Sequence, residues 1–279
     1  MMRVILTGAA LAVLMGASSP VLAQSVEAAA VCAPVQGLPE VLGRPGLRYL
    51  VMGEIHGTAE APAVFGDLVC AAAATRSVVV GVEWPASSQP MLDAFLSEAD
   101  EAVALKRLME APAWKRADGR DSRAMLQMLI RVRELDRKGG EVSLAAFDFE
   151  IPAPGTSDER ERSMADLLIR AGAARPDALV VALTGMGHAD RDGFTSMQPP
   201  VQSMAQHLPA EASATLALAR SGGEAWMCRT TEGVSTCGPV ALTTREEPAP
   251  RGLVAPRSGF DAILSIGGPL TPSEPARPR

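Results

Sequence analysis

The sequence predicts an α/β fold: a mostly parallel sheet covered by helices on both faces, with a small antiparallel hairpin appendage near the C-terminus. Three observations carry this. Short, continuously apolar runs at 48–54, 77–84, 142–149 and 178–184 are separated by stretches of helical character, and strands that are apolar on both faces belong to a covered parallel sheet. After Gly222-Gly223 the pattern changes, and two strand-like stretches flank a turn near Glu232-Gly233. With 47% apolar and 21% charged residues over 279 positions, the chain can bury a sizeable core, which excludes general disorder, collagen and coiled coil.

The elements follow in order. Residues 1–23 carry Arg3, an apolar run at 4–14 and small residues ending in Val21-Leu22-Ala23, the pattern of a cleavable secretory signal. The run is shorter than the roughly 20 residues a bilayer span needs, and no later stretch reaches that length without a charge or a proline. A mature chain beginning near Gln24, periplasmic or secreted and without a membrane span, is expected. Strand 48–54 and helix 58–74 come next, then strand 77–84, helical regions 88–109 and 121–138 (stopped by Gly139-Gly140), strand 142–149 and helix 158–171. Strand 178–184 leads through a proline-rich connection to strand 215–220. The hairpin, a loop rich in proline and charge at 246–259 and a last strand at 260–266 complete one α/β domain over 24–267. Residues 268–279 hold four prolines and are expected to form a disordered tail.

Composition also narrows the partners. Lys and Arg number 26 against 32 Asp and Glu, a net charge of −6, and the basic residues are scattered among acids, so no nucleic-acid surface is expected. A small molecule or a peptide is the expected substrate, and the oligomeric state is open. Four cysteines follow the leader. An even count in an exported chain points to disulfides: Cys228–Cys237 across the hairpin is the expected bridge, and Cys32–Cys70 would then tie the N-terminal arm to the first helix. No C-x-x-C spacing offers a cysteine metal site.

Ligands of open parallel sheets bind beyond the carboxyl ends of the strands. There the first strand delivers Gly53-Glu54-Ile55-His56-Gly57-Thr58, the second Glu83, the third Asp148 with Glu150 following, and the fourth Gly185-Met186-Gly187-His188. Two of only three histidines thus stand three residues after a glycine at a strand end. Imidazole with carboxylates is the ligand set of zinc, manganese or iron, and equally the acid/base equipment of a hydrolase. Buried Glu54 would need a partner, whereas Glu83 and Asp148 could instead cap the helices that follow them. Glu60 reads as a solvated acid in a first helical turn, and His207 as a surface residue at a helix end. The connector Trp114-Lys115-Arg116-Ala117-Asp118-Gly119-Arg120-Asp121-Ser122 is either a turn with a helix cap or a lid that brings Arg120 over the site to hold a carboxylate or oxyanion. Nucleophile elbow, phosphate loop and dinucleotide fingerprint are all missing.

The paired motifs Gly53-Glu54-Ile55-His56 and Gly185-Met186-Gly187-His188 resemble the superfamily that includes erythromycin-esterase-like proteins, the haem-binding ChaN proteins, TraB and the Tiki proteases. The likeness spans about 48–266, including Phe260-Asp261-Ala262-Ile263-Leu264. It implies an α/β fold in which Glu54, His56 and His188 match directly and Glu83 supplies a second glutamate; Asp148 and Arg120 rest on the strand-end argument alone. Tiki-like members imply a metal-dependent peptidase in which the histidines and acids hold the metal and one glutamate activates water; with Asp148 added by the strand-end argument, the candidate ligand set is His56, His188, Glu54, Glu83 and Asp148. Esterase-like members imply His56 and Glu54 activating water to open an ester or lactone, with or without a metal. ChaN-like members imply haem or iron binding without turnover. This chain lacks a lipoprotein cysteine, its one tyrosine, Tyr49, lies inside the first strand, and aromatics are 4%, which favours the hydrolase. Metal-assisted hydrolysis of a peptide or ester bond is the resulting expectation, with Glu54 or Glu83 as general base, His56 and His188 on the metal or the scissile carbonyl, and Arg120 steadying an anionic group.

Overall fold

Every residue of Tyr49–Glu54, Val78–Pro85 and Ser213–Leu218 is buried, which is why these strands read as unbroken apolar runs rather than alternating ones. The structure is a computed structural model and describes residues 32–116, 118–149, 157–231 and 234–277. The expected leader, Glu150 and the hairpin turn at Glu232-Gly233 lie outside the described residues. The elements in chain order are α1 (Leu38–Leu42), β1 (Tyr49–Glu54), α2 (Glu60–Ala73), β2 (Val78–Pro85), α3 (Gln89–Ser97), α4 (Glu101–Leu108) and α5 (Arg123–Arg137). They continue with β3 (Val142–Asp148), α6 (Asp158–Ala174), β4 (Leu179–Gly185), α7 (Met186–Ala189), α8 (Met204–His207) and β5 (Ser213–Leu218). The hairpin β6 (Glu224–Thr231) and β7 (Val234–Ala241) follows, then β8 (Gly252–Val254) and β9 (Ala262–Ser265).

Seven strands form one sheet in the order β3-β2-β4-β1-β5-β9-β8, all parallel except the β8–β9 pair; β6 and β7 form a separate antiparallel ribbon. Alternate strand residues face opposite sides. Leu50, Met52, Val80, Val82, Val181 and Leu183 pack with Phe65, Leu68, Met128 and Leu129 of α2 and α5. Tyr49, Val51, Val79, Val180 and Ala182 pack with Met164, Leu168 and Met204 of α6 and α8. Both faces of the sheet are covered, and the α/β class read from the sequence is the fold observed.

Three local expectations need correction. The helix expected over 88–109 is two, α3 and α4, because Glu98 turns extended and Asp100 caps α4 by accepting from the Val103 N–H. The carbonyls released at the break are taken up by α5: Arg133 donates to Phe95 O at 2.8 Å and to Glu98 O at 2.6 Å. The loop expected over 246–259 contains the short strand β8. The expected free tail is instead bound to the body over 268–277. Leu270 is buried in the core on the α2/α5 side, and the residues between the prolines use their N–H groups: Leu270 donates to Gly222 O, Ser273 to Gly57 O and Ala276 to Asp121 O. Proline spacing that reads as disorder is here compatible with an extended segment pairing at its non-proline positions.

Both expected disulfides, Cys32–Cys70 and Cys228–Cys237, are formed. No helix among the described residues is long and apolar enough to cross a membrane.

Candidate active site

Because β1 and β4 are parallel neighbours with Glu54 opposite Gly185, the two G-x-x-H motifs end side by side at the carboxyl edge of the sheet. His56 lies on the loop leaving β1, and His188 lies on the single turn α7 that follows β4. Gly185 stands between the rings: a methyl group there would meet His56 Nε2 at 3.0 Å and His188 Cδ2 at 3.5 Å. A side chain there would press on His56, so the glycine leaves room for both imidazoles at this edge.

Each imidazole is held at Nδ1 by a carboxylate. His56 Nδ1 is 2.8 Å from Glu54 Oε1, and His188 Nδ1 is 2.8 Å from both oxygens of Glu161. In the tautomer that donates Nδ1–H to the carboxylate, Nε2 keeps its lone pair. Both Nε2 atoms turn to Glu83, at 3.6 Å from Oε2 for His56 and 3.6 Å from Oε1 for His188. Glu54 Oε2 is buried without a hydrogen-bond partner among the described residues.

Glu83 is the hub. It accepts from Thr184 Oγ1 at 2.8 Å, from Gly185 N at 2.6 Å, from Arg160 at 3.1 Å and from Arg120. Burial works to raise its carboxyl, but Arg120, His188, His56 and Arg160 hold it well below the usual carboxylate range. Asp148 lies on the far side of this hub, bound by Arg116 at 2.7 Å, by Arg160 Nε at 2.9 Å and by Phe149 N at 2.7 Å. Neither acid caps a helix. Burial and the Arg120 charge oppose protonation of His56, yet Glu83 and Glu54 outweigh them and leave it above the ordinary imidazole value of 6.5.

The connector combines features of both expected forms. Ser122 caps α5 by accepting from Met125 N, and Arg120 reaches the site. It holds the protein's own acids, however: Glu83, and Asp118 at 2.6 Å. Trp114 is buried, meets Trp84 edge-on at 4.9 Å, and Trp84 Nε1 donates to Arg120 O at 3.3 Å. Arg120 is therefore braced as a wall rather than poised as a lid. Burial opposes ionisation of Asp118, but Arg120 overrides it and lowers its carboxyl.

The structure thus brings together Glu54, His56, Glu83, His188 and Arg120, and sets Asp148 behind them among arginines. Glu161, Arg116 and Arg160 join this cluster without any signal in the sequence pattern. Glu161 sits in Asp158-Glu159-Arg160-Glu161, which reads as a solvated helix face, yet it is completely buried. Glu60, expected to be solvated, accepts from the Thr271 N–H and hydroxyl at 2.9 and 2.6 Å. His207 does end a helix, but its Nε2 is buried.

These contacts bear on the expected metal. A divalent cation needs carboxylate and imidazole lone pairs aimed at one point. The oxygens of Glu83 and Asp148 already accept from guanidinium and backbone donors, and the guanidinium groups of Arg116, Arg120 and Arg160 occupy the same cluster. Among the described residues no group of three or more His, Cys, Asp or Glu is disposed to hold a metal ion. The ligand set His56, His188, Glu54, Glu83 and Asp148 does not fit zinc, manganese or iron. Haem fits no better: both Nε2 atoms face the ion-paired Glu83, and Tyr49 is buried in the sheet against Gly172 of α6.

The cleft above the imidazoles has a volume of about 430 Å³, walled by Ile55, Met186, Phe194, Met227 and the Cys228 end of the hairpin disulfide, with Asp118 at one side. The appendage therefore completes the site. Gly57 adopts φ 80°, and any side chain on it would run into the Trp226 carbonyl of β6.

No protein-family model matches the sequence, and no curated protein matches it. Solved structures do. An erythromycin esterase, a histidine-to-asparagine variant of EreC in its open conformation, superposes with a TM-score of 0.62 at 13% identity, covering 83% of this chain and 92% of that one. A succinoglycan biosynthesis protein gives 0.62 at 10% identity, covering 86% and 91%. A protein from Bacillus cereus gives 0.57 at 10%, covering 87% and 93%. At these identities the likeness is one of fold, and it is the fold the motif resemblance implied.

Proposed function

We propose that this cleft hydrolyses a carboxylic ester by general-base catalysis with His56 as the base and without a resident metal. The observation that carries the reading is the pair of imidazoles, each fixed at Nδ1 by its own carboxylate, that line one cleft together. A base oriented by a third group is the arrangement hydrolytic chemistry uses. Glu83, saturated with donors and strongly ionised, is a poor base, but it stabilises the imidazolium that forms when His56 takes a proton.

Water attacks the ester carbonyl carbon while His56 Nε2 accepts its proton, and Glu54 Oε1 keeps the ring oriented through Nδ1–H. The tetrahedral intermediate collapses, the C–O bond to the alcohol breaks, and the departing oxygen takes the proton back from Nε2. Acid and alcohol are the products. His188 Nε2, held by Glu161, accepts a hydrogen bond from the second hydrogen of the attacking water. An ester suits this equipment better than a peptide bond, because no Lewis acid is needed to polarise an activated carbonyl. The apolar wall of Ile55, Met186, Phe194 and Met227 supports a substrate with an apolar portion. The same reading puts the protein outside the cytosol, which the two disulfides support.

The test is hydrolysis of a panel of 4-nitrophenyl esters by the purified chain, with and without a strong chelator. Rates unaffected by chelation, and lowered by about 10²–10⁴-fold in His56→Ala, are expected. Activity abolished by the chelator and restored by zinc or manganese would return the site to the metal-assisted reading. Haem uptake with a Soret band lost in His56→Ala, and no ester turnover, would make it a binding protein.

A further inference from the structure

The loop that carries His56 and the connector that carries Arg120 come from distant parts of the chain, and both are tied to the C-terminal segment. The Gly57 carbonyl, one residue beyond His56, accepts from Ser273 N at 2.8 Å as well as from Trp226 N at 2.8 Å. The Ser273 hydroxyl accepts from Ala124 N at 3.0 Å in the first turn of α5. Around it, Arg123 N donates to Glu274 O and Ala276 N donates to Asp121 O, each at 2.8 Å. Asp121 directly follows Arg120. Thr271 completes the attachment through Ala59 and Glu60. Ser273 is only 7% exposed and so cannot exchange these bonds freely for water.

We propose that Ser273 is a positioning residue of the site, and that residues 270–276 act as a strap that fixes His56 relative to Arg120 and Glu83. The strap closes a circuit. Arg120 grips Glu83, Glu83 faces His56, and Gly57 returns through Ser273 to the start of α5, which continues from Arg120. Each member is joined by short-range contacts, so a shift of the strap changes the distance from His56 to Glu83 rather than the sheet beneath. The proposal concerns the same site as the hydrolase reading and rests on it only where a rate is measured.

Three full-length variants test it. Ser273→Ala removes the hydroxyl, Ser273→Pro removes the N–H as well, and Ser273→Thr keeps both. The chain has three histidines, so each imidazole titration can be followed by NMR. The groups facing His56 are Glu54 of β1, Glu83 of β2, Asp118 and Arg120 of the connector and His188 of α7, and a loosened His56 loop draws the ring away from Glu54 and Glu83. The His56 midpoint is expected to move toward the ordinary imidazole value in Ser273→Ala and further in Ser273→Pro, with His207 unmoved and Ser273→Thr like the parent. With 4-nitrophenyl butyrate, kcat falls about tenfold in Ser273→Pro while KM stays within about twofold, as expected for misplaced reacting groups. Folded Ser273→Ala and Ser273→Pro proteins with the parent's His56 midpoint would overturn the proposal. If Ser273→Pro does not fold, Ser273→Ala decides by the same midpoint. If the parent turns over no ester, the midpoint still decides, so the strap and the hydrolase reading fail separately.

Discussion

The two histidines of the site have the same geometry and opposite construction. His56 takes its carboxylate from two residues away, Glu54 at the end of its own strand. His188 takes its carboxylate from Glu161, 27 residues away on α6, and the side chain of His56 is 21% exposed against 10% for His188. Glu161 also accepts from Met204 N at 2.8 Å, at the start of α8, so it joins α6, α7 and α8. Glu54 binds His56 through one oxygen, and its second oxygen is buried without a partner among the described residues. One pair is assembled by the local chain and left open for chemistry; the other is part of the framework.

The largest effect that separates them is on stability. Glu161→Gln leaves a buried acceptor position facing His188 or Met204 wrongly filled, and a loss of about 1–3 kcal/mol is expected, the range for an unsatisfied buried polar group. Glu54→Gln, where one oxygen already lacks a donor, is expected to cost less than about 1 kcal/mol while lowering ester hydrolysis more than Glu161→Gln does. Urea unfolding of the two variants beside their rates gives the answer. Equal losses of stability with equal losses of rate would erase the distinction between an open pair and a framework pair.

A second, smaller contrast lies in pH. His56 has its pKa raised above 6.5 in the folded protein, so its contribution to stability is complete below 6.5 and is lost as pH rises through the folded value. Glu83 has its pKa lowered well below 4.5, so its contribution is present above 4.5 and is lost as pH falls through the folded value. A general base must be neutral, so kcat/KM should rise with pH through a midpoint above 6.5, where the stabilising charge of His56 is being removed. Activity and this part of stability therefore run in opposite directions. A profile flat from about pH 6 to 9, with a stability that is also flat, would show that His56 does not titrate as its neighbours require.

What could be read in the sequence follows the same division between local and distant. The strands announce themselves because both faces are buried, and Glu54 with His56 lies within one motif at a strand end. Glu83 and His188 are visible by the strand-end rule alone. Glu161 is not: in the run Asp158-Glu159-Arg160-Glu161-Arg162 nothing distinguishes the charges that turn inward, since that depends on where α6 crosses the sheet. Arg116 and Arg160 are hidden for the same reason, and their presence beside Asp148 is what turns an apparent metal ligand into an ion-pair partner. The C-terminal segment misleads in the other sense. Four prolines in twelve residues describe an extended chain, and only the positions of Gly57 and Asp121 decide whether such a chain is bound.

The smallest expected effect concerns the third histidine. His207 closes α8, the helix whose first N–H is held by Glu161, so it touches the framework of His188 without touching the cleft. Its Nε2 is buried with no hydrogen-bond partner among the described residues, which means that His207→Gln breaks no bond at that atom. Ester hydrolysis should be unchanged and stability should stay within about 0.5 kcal/mol of the parent. A fall in rate would have to travel from α8 through Met204 and Glu161 to His188, and the NMR signals of the His188 ring would then move with it. A fall in rate without that movement would show that the division between the two imidazole pairs is drawn in the wrong place.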